Sequence, residues 1–127
     1  MKHKEVNLSE LIGMTLTSVE QDGEEAILFA SNTGRTFMMY HRADCCEDVR
    51  IEDVVGELHD LVGHPILLAE VAESGEHPLG CVPYDNPDSF TWTFYKLATI
   101  KGYVDIRWYG TSNGYYSETV DFVEVLP

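Results

Sequence analysis

The stretch LSELIGMTLTSVE, residues 8–20, returns as LHDLVGHPILLAE at residues 58–70. Leu8, Leu11, Gly13 and Glu20 are matched by Leu58, Leu61, Gly63 and Glu70. The pairs Glu10/Asp60, Ile12/Val62, Leu16/Ile66 and Val19/Ala69 keep their chemical type. Each copy reads as a short helix. Asn7 offers an N-cap, Glu10 sits in capping-box position, and Gly13 supplies a left-handed stop. Leu8, Leu11 and Ile12 then share one helical face, as do Leu58, Leu61 and Val62. Pro65 seals the second copy, because proline cannot continue a helix.

Strand-like segments follow each copy. The first half offers Thr15–Glu20, Ala26–Ser31 and Arg35–His41, with turns at Asp22-Gly23 and Asn32-Thr33-Gly34. The second offers Ile66–Ala72, Phe90–Ala98 and Tyr103–Tyr109, with a turn at Lys101-Gly102. Leu28–Arg42 aligns with Lys96–Gly110, matching Gly34 to Gly102 and Tyr40 to Trp108. A further strand closes each half, Val49–Ile51 and Thr119–Val123. The expected fold is α+β: mainly antiparallel sheet with two short helices. It is read as an internal duplication of a helix-β-β-β-loop-β unit about a pseudo-twofold axis. Residues 1–127 form one domain on this reading, with pseudo-repeats at 7–54 and 57–125 and a long inserted loop at 73–89. Loops of that length without secondary structure tend to be lids or binding segments.

Composition narrows the function classes. Eight basic residues face 22 acidic ones, giving a net charge of −14. A nonspecific grip on a nucleic-acid backbone is therefore disfavoured. Residues 44–60 concentrate seven carboxylates (Asp44, Glu47, Asp48, Glu52, Asp53, Glu57, Asp60) around one Arg50. They form either a solvated surface or an acidic face that docks a basic partner, by nucleic-acid mimicry in its sharpest form. No apolar run reaches the ~20 residues of a membrane span, and the N-terminal MKHKEVNLSEL lacks the apolar core of a signal peptide. Three cysteines, two of them adjacent, make a poor disulfide framework and point to a reducing cytosol.

The candidate site lies where the two halves align their loops. One is His41, Arg42, Ala43, Asp44, Cys45, Cys46 and Glu47; the other runs from Gly110 through Ser112, Asn113, Tyr115 and Tyr116 to Glu118. Alternation along Tyr103–Tyr109 sends Arg107 and Tyr109 to one face and Val104, Ile106 and Trp108 to the other. His41, Arg42, Asp44, Cys45, Cys46, Arg107, Tyr109, Ser112, Asn113, Tyr115 and Tyr116 are thus the candidate ligand-binding residues. Aromatic faces stack bases and arginines pin phosphates, so a small anionic or nucleotide-like ligand fits their chemistry.

Three other chemistries could draw on the same or neighbouring residues. His41, Cys45 and Cys46, with Cys81 or His77, resemble a metal set, but adjacent cysteines on an extended segment point to opposite faces. A His41-activated Cys45 or Cys46 matches no established thiol-enzyme spacing. The pairs Glu52/Asp53 and Asp44/Glu47 could serve acid–base work, yet such pairs are common in so acidic a chain. No catalytic residue, metal or cofactor is assigned.

Asp44-Cys45-Cys46-Glu47, Thr91-Trp92-Thr93-Phe94-Tyr95 and Ser112-Asn113-Gly114-Tyr115-Tyr116-Ser117-Glu118 carry a resemblance across residues 8–123. The chain resembles a family of small proteins of unknown function found in phages, prophages and some bacteria. The resemblance supplies no catalytic residues; it implies a phage or prophage product in the bacterial host cytoplasm. The expected function is a non-catalytic binder that sequesters a small anionic host molecule. The alternatives are an acidic inhibitor of a basic host protein and a small enzyme using His41 with Cys45 or a carboxylate. The expected partner is thus a small molecule or a host protein, without direct nucleic-acid backbone binding or membrane contact. Self-association is left open.

Overall fold

Segments such as Ala26–Ser31 alternate buried and half-buried residues, presenting one face to a core and one to solvent. That rule organises the molecule. The computed structural model describes residues 2–79 and 87–127. The strands are β1 (Lys2–Glu5), β2 (Leu16–Asp22), β3 (Ala26–Ser31), β4 (Thr36–Tyr40), β5 (Asp48–Val55), β6 (Leu68–Ser74), β7 (Ser89–Thr99), β8 (Gly102–Ser112) and β9 (Asp121–Leu126). They form a five-stranded sheet, β1-β9-β4-β3-β2, and a four-stranded sheet, β5-β8-β7-β6. Every pairing between these strands is antiparallel. After the β2-β3-β4 meander the chain crosses to pair β5 with β8, and after β6-β7-β8 it returns to pair β9 with β4.

The α+β expectation is overturned. Among the described residues there is no α-helix; Leu8–Leu11 and Leu58–Leu61 are single 3₁₀ turns. The repeat unit, which was to begin with a helix, does not exist in that form. Asn7 and Glu57 precede the turns but make no side-chain cap hydrogen bond. The closing bonds run three residues back, Ile12 N–H to Ser9 O at 3.1 Å and Val62 N–H to His59 O at 3.1 Å. One turn before a helix-stopping glycine is too short to repay helix nucleation. Ile12 and Val62 then turn extended and join a partner instead.

That partner is the other phrase. Gly13 N–H donates to Ile66 O at 2.8 Å, and its counterpart Gly63 N–H donates to Leu16 O at 2.9 Å. Isolated bridges join Ile12 to Ile66 and Leu16 to Val62. Both glycines sit at positive φ, +87° and +89°, where a side chain would be strained. These bonds stitch the first sheet to the second.

The core lies between the sheets. Ile27, Phe29, Phe37 and Met39 from the first meet Leu97, Val104, Ile106 and Trp108 from the second, with Leu11, Leu16, Leu61 and Ile66 closing one end. The Trp108 indole N–H points at Met39 Sδ, 3.3 Å away across the interface. Val104, Ile106 and Trp108 therefore face inward, as their alternation indicated.

Candidate functional site

Loop 41–47 leaves β4 and runs into β5, and a buried histidine–glutamate hydrogen bond fixes it. His41 Nδ1 lies 2.7 Å from Thr119 O, and Nε2 lies 3.1 Å from Glu47 Oε2. Only 6% of the His41 side chain and 1% of the Glu47 side chain are exposed. A carbonyl oxygen and a carboxylate both accept, so the ring meets an acceptor at each nitrogen. Glu47 also accepts the backbone N–H groups of Asp44 (3.1 Å) and Cys45 (2.9 Å). Burial opposes its ionisation. The backbone N–H of Glu47 itself, the His41 ring, and the N–H groups of Asp44 and Cys45 outweigh that cost and hold its pKa down at about 2.

With both ring nitrogens engaged, His41 has neither left to accept a thiol proton or bind a metal. Cys45 and Cys46 are joined in a disulfide, so neither sulfur is a thiolate in this structure. Among the described residues no three His, Cys, Asp or Glu side chains gather as a metal ion requires. Cys81 lies outside the described residues. His77 is used elsewhere: it stacks on Phe90 at 4.2 Å and accepts the Trp92 indole N–H at 3.1 Å.

The second loop is organised by Glu118. This buried carboxylate accepts the Ser112 hydroxyl at 2.5 Å and the Thr91 hydroxyl at 2.8 Å. Ser112 Oγ accepts the Gly114 N–H, and Asn113 Oδ1 accepts the Tyr115 N–H. Ser112 Oγ and Asn113 Oδ1 thus help to shape the turn. Tyr115 is 90% exposed and Tyr116 half-buried. Gly110 admits the return strand, because a Cβ there would stand 2.6 Å from Glu118 O.

The two loops approach each other. They meet through His41 and Thr119, and through Arg42, whose backbone N–H donates to Asp121 at 2.9 Å. Arg42 and Ser117 line one small cavity of about 340 Å³ with His3, Tyr40 and Asp121. Arg107 and Tyr109 line neither this cavity nor the one beside His41. Both belong to the outer face of the second sheet. Tyr109 is buried 4.5 Å from the Trp92 ring. Arg107 lies over Trp92 and pairs with Glu52 at 2.5 Å and Asp53 at 3.7 Å. Sequence reasoning kept Glu47 and Glu118 off the list of candidate residues. Their signal was local: a carboxylate two or three residues beyond a turn, flanked by free N–H or hydroxyl donors.

The surrounding electrostatics favour cations. Arg35 is paired with Glu124 at 2.9 Å and Arg50 with Asp48 at 2.9 Å. The Arg35 hydrogen bond holds the Glu124 carboxyl below its ordinary range, against the opposing effect of burial. Asp44, Asp48, Glu52, Asp53 and Glu57 stand exposed along loop 41–47, β5 and the turn that follows. Asp22, Glu25, Glu47 and Asp48 line a cavity of about 380 Å³ beside His41.

Fold and site together define a two-sheet antiparallel β protein with carboxylate-lined cavities and histidine- and glutamate-clamped loops. No helix among the described residues is long and apolar enough to cross a membrane. Residues 9–122 match the family model described as a domain of unknown function, DUF7448, and the chain belongs to that family. None of the curated proteins and none of the solved structures gives a significant match.

Proposed function

We propose that this protein is a non-catalytic binder whose acidic surface docks a basic partner, blocking it by occupying its cationic face. The observation that carries the reading is the fate of the arginines. Arg35, Arg50 and Arg107 are neutralised by the chain's own carboxylates, while the cavity beside His41 and the β5 edge present carboxylates outward. Of the two arginines expected to hold an anionic ligand, Arg42 and Arg107, the second is committed to Glu52 and Asp53. The resemblance to phage and prophage proteins supplies a setting for the proposal, a basic protein surface of the bacterial host cytoplasm.

Fluorescence anisotropy with labelled oligolysine and oligoarginine peptides tests it. Binding at low ionic strength should weaken steeply as the screening length shrinks to about 8 Å near physiological salt. Neutralising Asp44, Asp48 and Glu57 together should weaken it further. Absent binding to either peptide in low salt, with thermal stabilisation by a nucleotide of about 2.7 kcal/mol at a hundredfold excess over Kd, would reverse the assignment.

A further inference from the structure

A further cavity lies between the β1/β9 edge of the first sheet and β6/β7 of the second. It has a volume of about 590 Å³, within the usual range for a small-ligand site. Glu5, Glu10, Glu73 and Asp121 line it, with Lys4 as the cation in its wall. At its inner end stands Tyr95, 3% exposed, with its ring in the core between the sheets. The Tyr95 hydroxyl makes no hydrogen bond to any described residue. Thr93 Oγ1, and not the Tyr95 hydroxyl, is the sealed-off side-chain polar atom without a partner among the described residues, so the hydroxyl is open to an occupant of the cavity that Tyr95 lines. Burial first, and then the charges of Glu73 and Asp121, push its pKa well above the ordinary tyrosine value. It therefore stays neutral, with both a donor and an acceptor available.

The geometry points to a subsite for an ammonium or guanidinium head group, held by Glu73 and Asp121 with the Tyr95 oxygen as a third acceptor. An organic cation suits the site better than a metal, since no three ligating side chains converge there. Its several N–H donors can reach acceptors spread around a cavity, and its aliphatic stem can lie along Val71, Val120 and Phe122. The polar ledger of the wall supports this. Lys4 adds to the forces lowering the Glu124 pKa, and Glu10 has only a 3.8 Å contact to Arg35. Asp121 gives one oxygen to the Arg42 N–H, and Glu73 has no cation beside it among the described residues. This subsite rests on the reading of the protein as one that docks a basic partner. It names the chemistry inserted: the head of a lysine or arginine side chain, or a free amine of the same kind.

Three full-length variants separate the possibilities: Glu73→Gln, Tyr95→Phe and, as a control, Glu20→Gln. Glu20 is an exposed carboxylate on β2 outside the cavity, so its loss changes net charge equally. Titration with spermidine, arginine amide and oligolysine should show Glu73→Gln weakening binding by about tenfold or more. Tyr95→Phe should weaken it severalfold with net charge unchanged, and Glu20→Gln by less than about twofold. Thermal midpoints near wild type establish that the variants are folded. Contacts between ligand methylenes and the Tyr95 ring in nuclear Overhauser spectra place the head group. Binding of spermidine or arginine amide alone identifies a free amine as the occupant, and binding of oligolysine a side chain. Equal weakening by all three variants would overturn the subsite while leaving acidic docking intact. Failure of the wild type to bind any of the probes in low salt would remove both.

Discussion

Replacing Leu11, Leu61 and Ile12 one at a time by alanine separates the 3₁₀ turn from the helix that the pattern suggested. Leu11 and Leu61 are fully buried, whereas Ile12, one residue further on, is 51% exposed. In a helix, Leu8, Leu11 and Ile12 would point together into the core; in a 3₁₀ turn, residues three apart eclipse and the next is thrown outward. Leu→Ala removes three buried carbons, about 2.4 kcal/mol at ~0.8 kcal/mol each, before any cavity contribution. With the cavity left at the sealed end of the core, the loss should reach about 3–4 kcal/mol at each leucine. For 127 residues that corresponds to a fall in Tm of roughly 11–15 °C. Ile12→Ala should cost less than about 1 kcal/mol. Guanidinium unfolding followed by the fluorescence of Trp92 and Trp108, both fully buried, reads all three with an unchanged m value. Ile12→Ala as costly as Leu11→Ala, or Leu61→Ala below about 1 kcal/mol, would refute the reasoning.

Glu47 should titrate near 2 in a carbon-detected NMR experiment, below the ordinary 4.5 of a glutamate. Its folded-state pKa is lowered, so its contribution to stability is fully present above about pH 4.5 and is lost as pH falls towards 2. A carboxyl titrating at the ordinary value would contradict the clamp with His41. Gly110→Ala forces a methyl to 2.6 Å from Glu118 O and 3.1 Å from Val49 Cγ2, and should cost about 1–3 kcal/mol in a thermal melt. No change in Tm would mean that the second loop is not packed as described. His77→Ala removes the acceptor of a fully buried indole N–H, at a cost of about 1–3 kcal/mol. Its test is the thermal midpoint together with the Trp92 emission maximum, and an unmoved midpoint with unshifted emission would speak against the bond.

Much of the strand content was readable because period-two alternation is a local signal. Ala26–Ser31 occurs as expected, and Tyr103–Tyr109 lies within β8 with Val104, Ile106 and Trp108 turned inward. The short helices failed for a reason also present locally. Gly13 and Gly63 follow Leu11 and Leu61 too closely to leave room for a second turn. The apolar i, i+3, i+4 spacing matched a helix, but three apolar residues can also mark a turn followed by an extended segment, and here pairing with the other phrase won. β1 was missed because Lys2–Glu5 is exposed throughout; it is a strand only because β9 offers it an edge.

The site was harder to read, because its charges are decided by register between distant strands. Nothing near Arg107 in sequence says that β5 will lie against β8 with Asp53 opposite it and a bulge at Glu52. That bulge adds a second carboxylate beside the guanidinium, so Arg107, a candidate phosphate ligand by composition, becomes an internal counterion. Arg35 meets Glu124 in the same way, through the pairing of β4 with β9. Each pairing holds a guanidinium against the chain's own carboxylates, leaving net charge unchanged but the remaining field more uniformly negative. The −14 total reports the amount of charge, and the strand register determines which sign a partner meets. On the proposed docking reading, a basic partner would thus meet a more uniformly negative face than the composition alone implies.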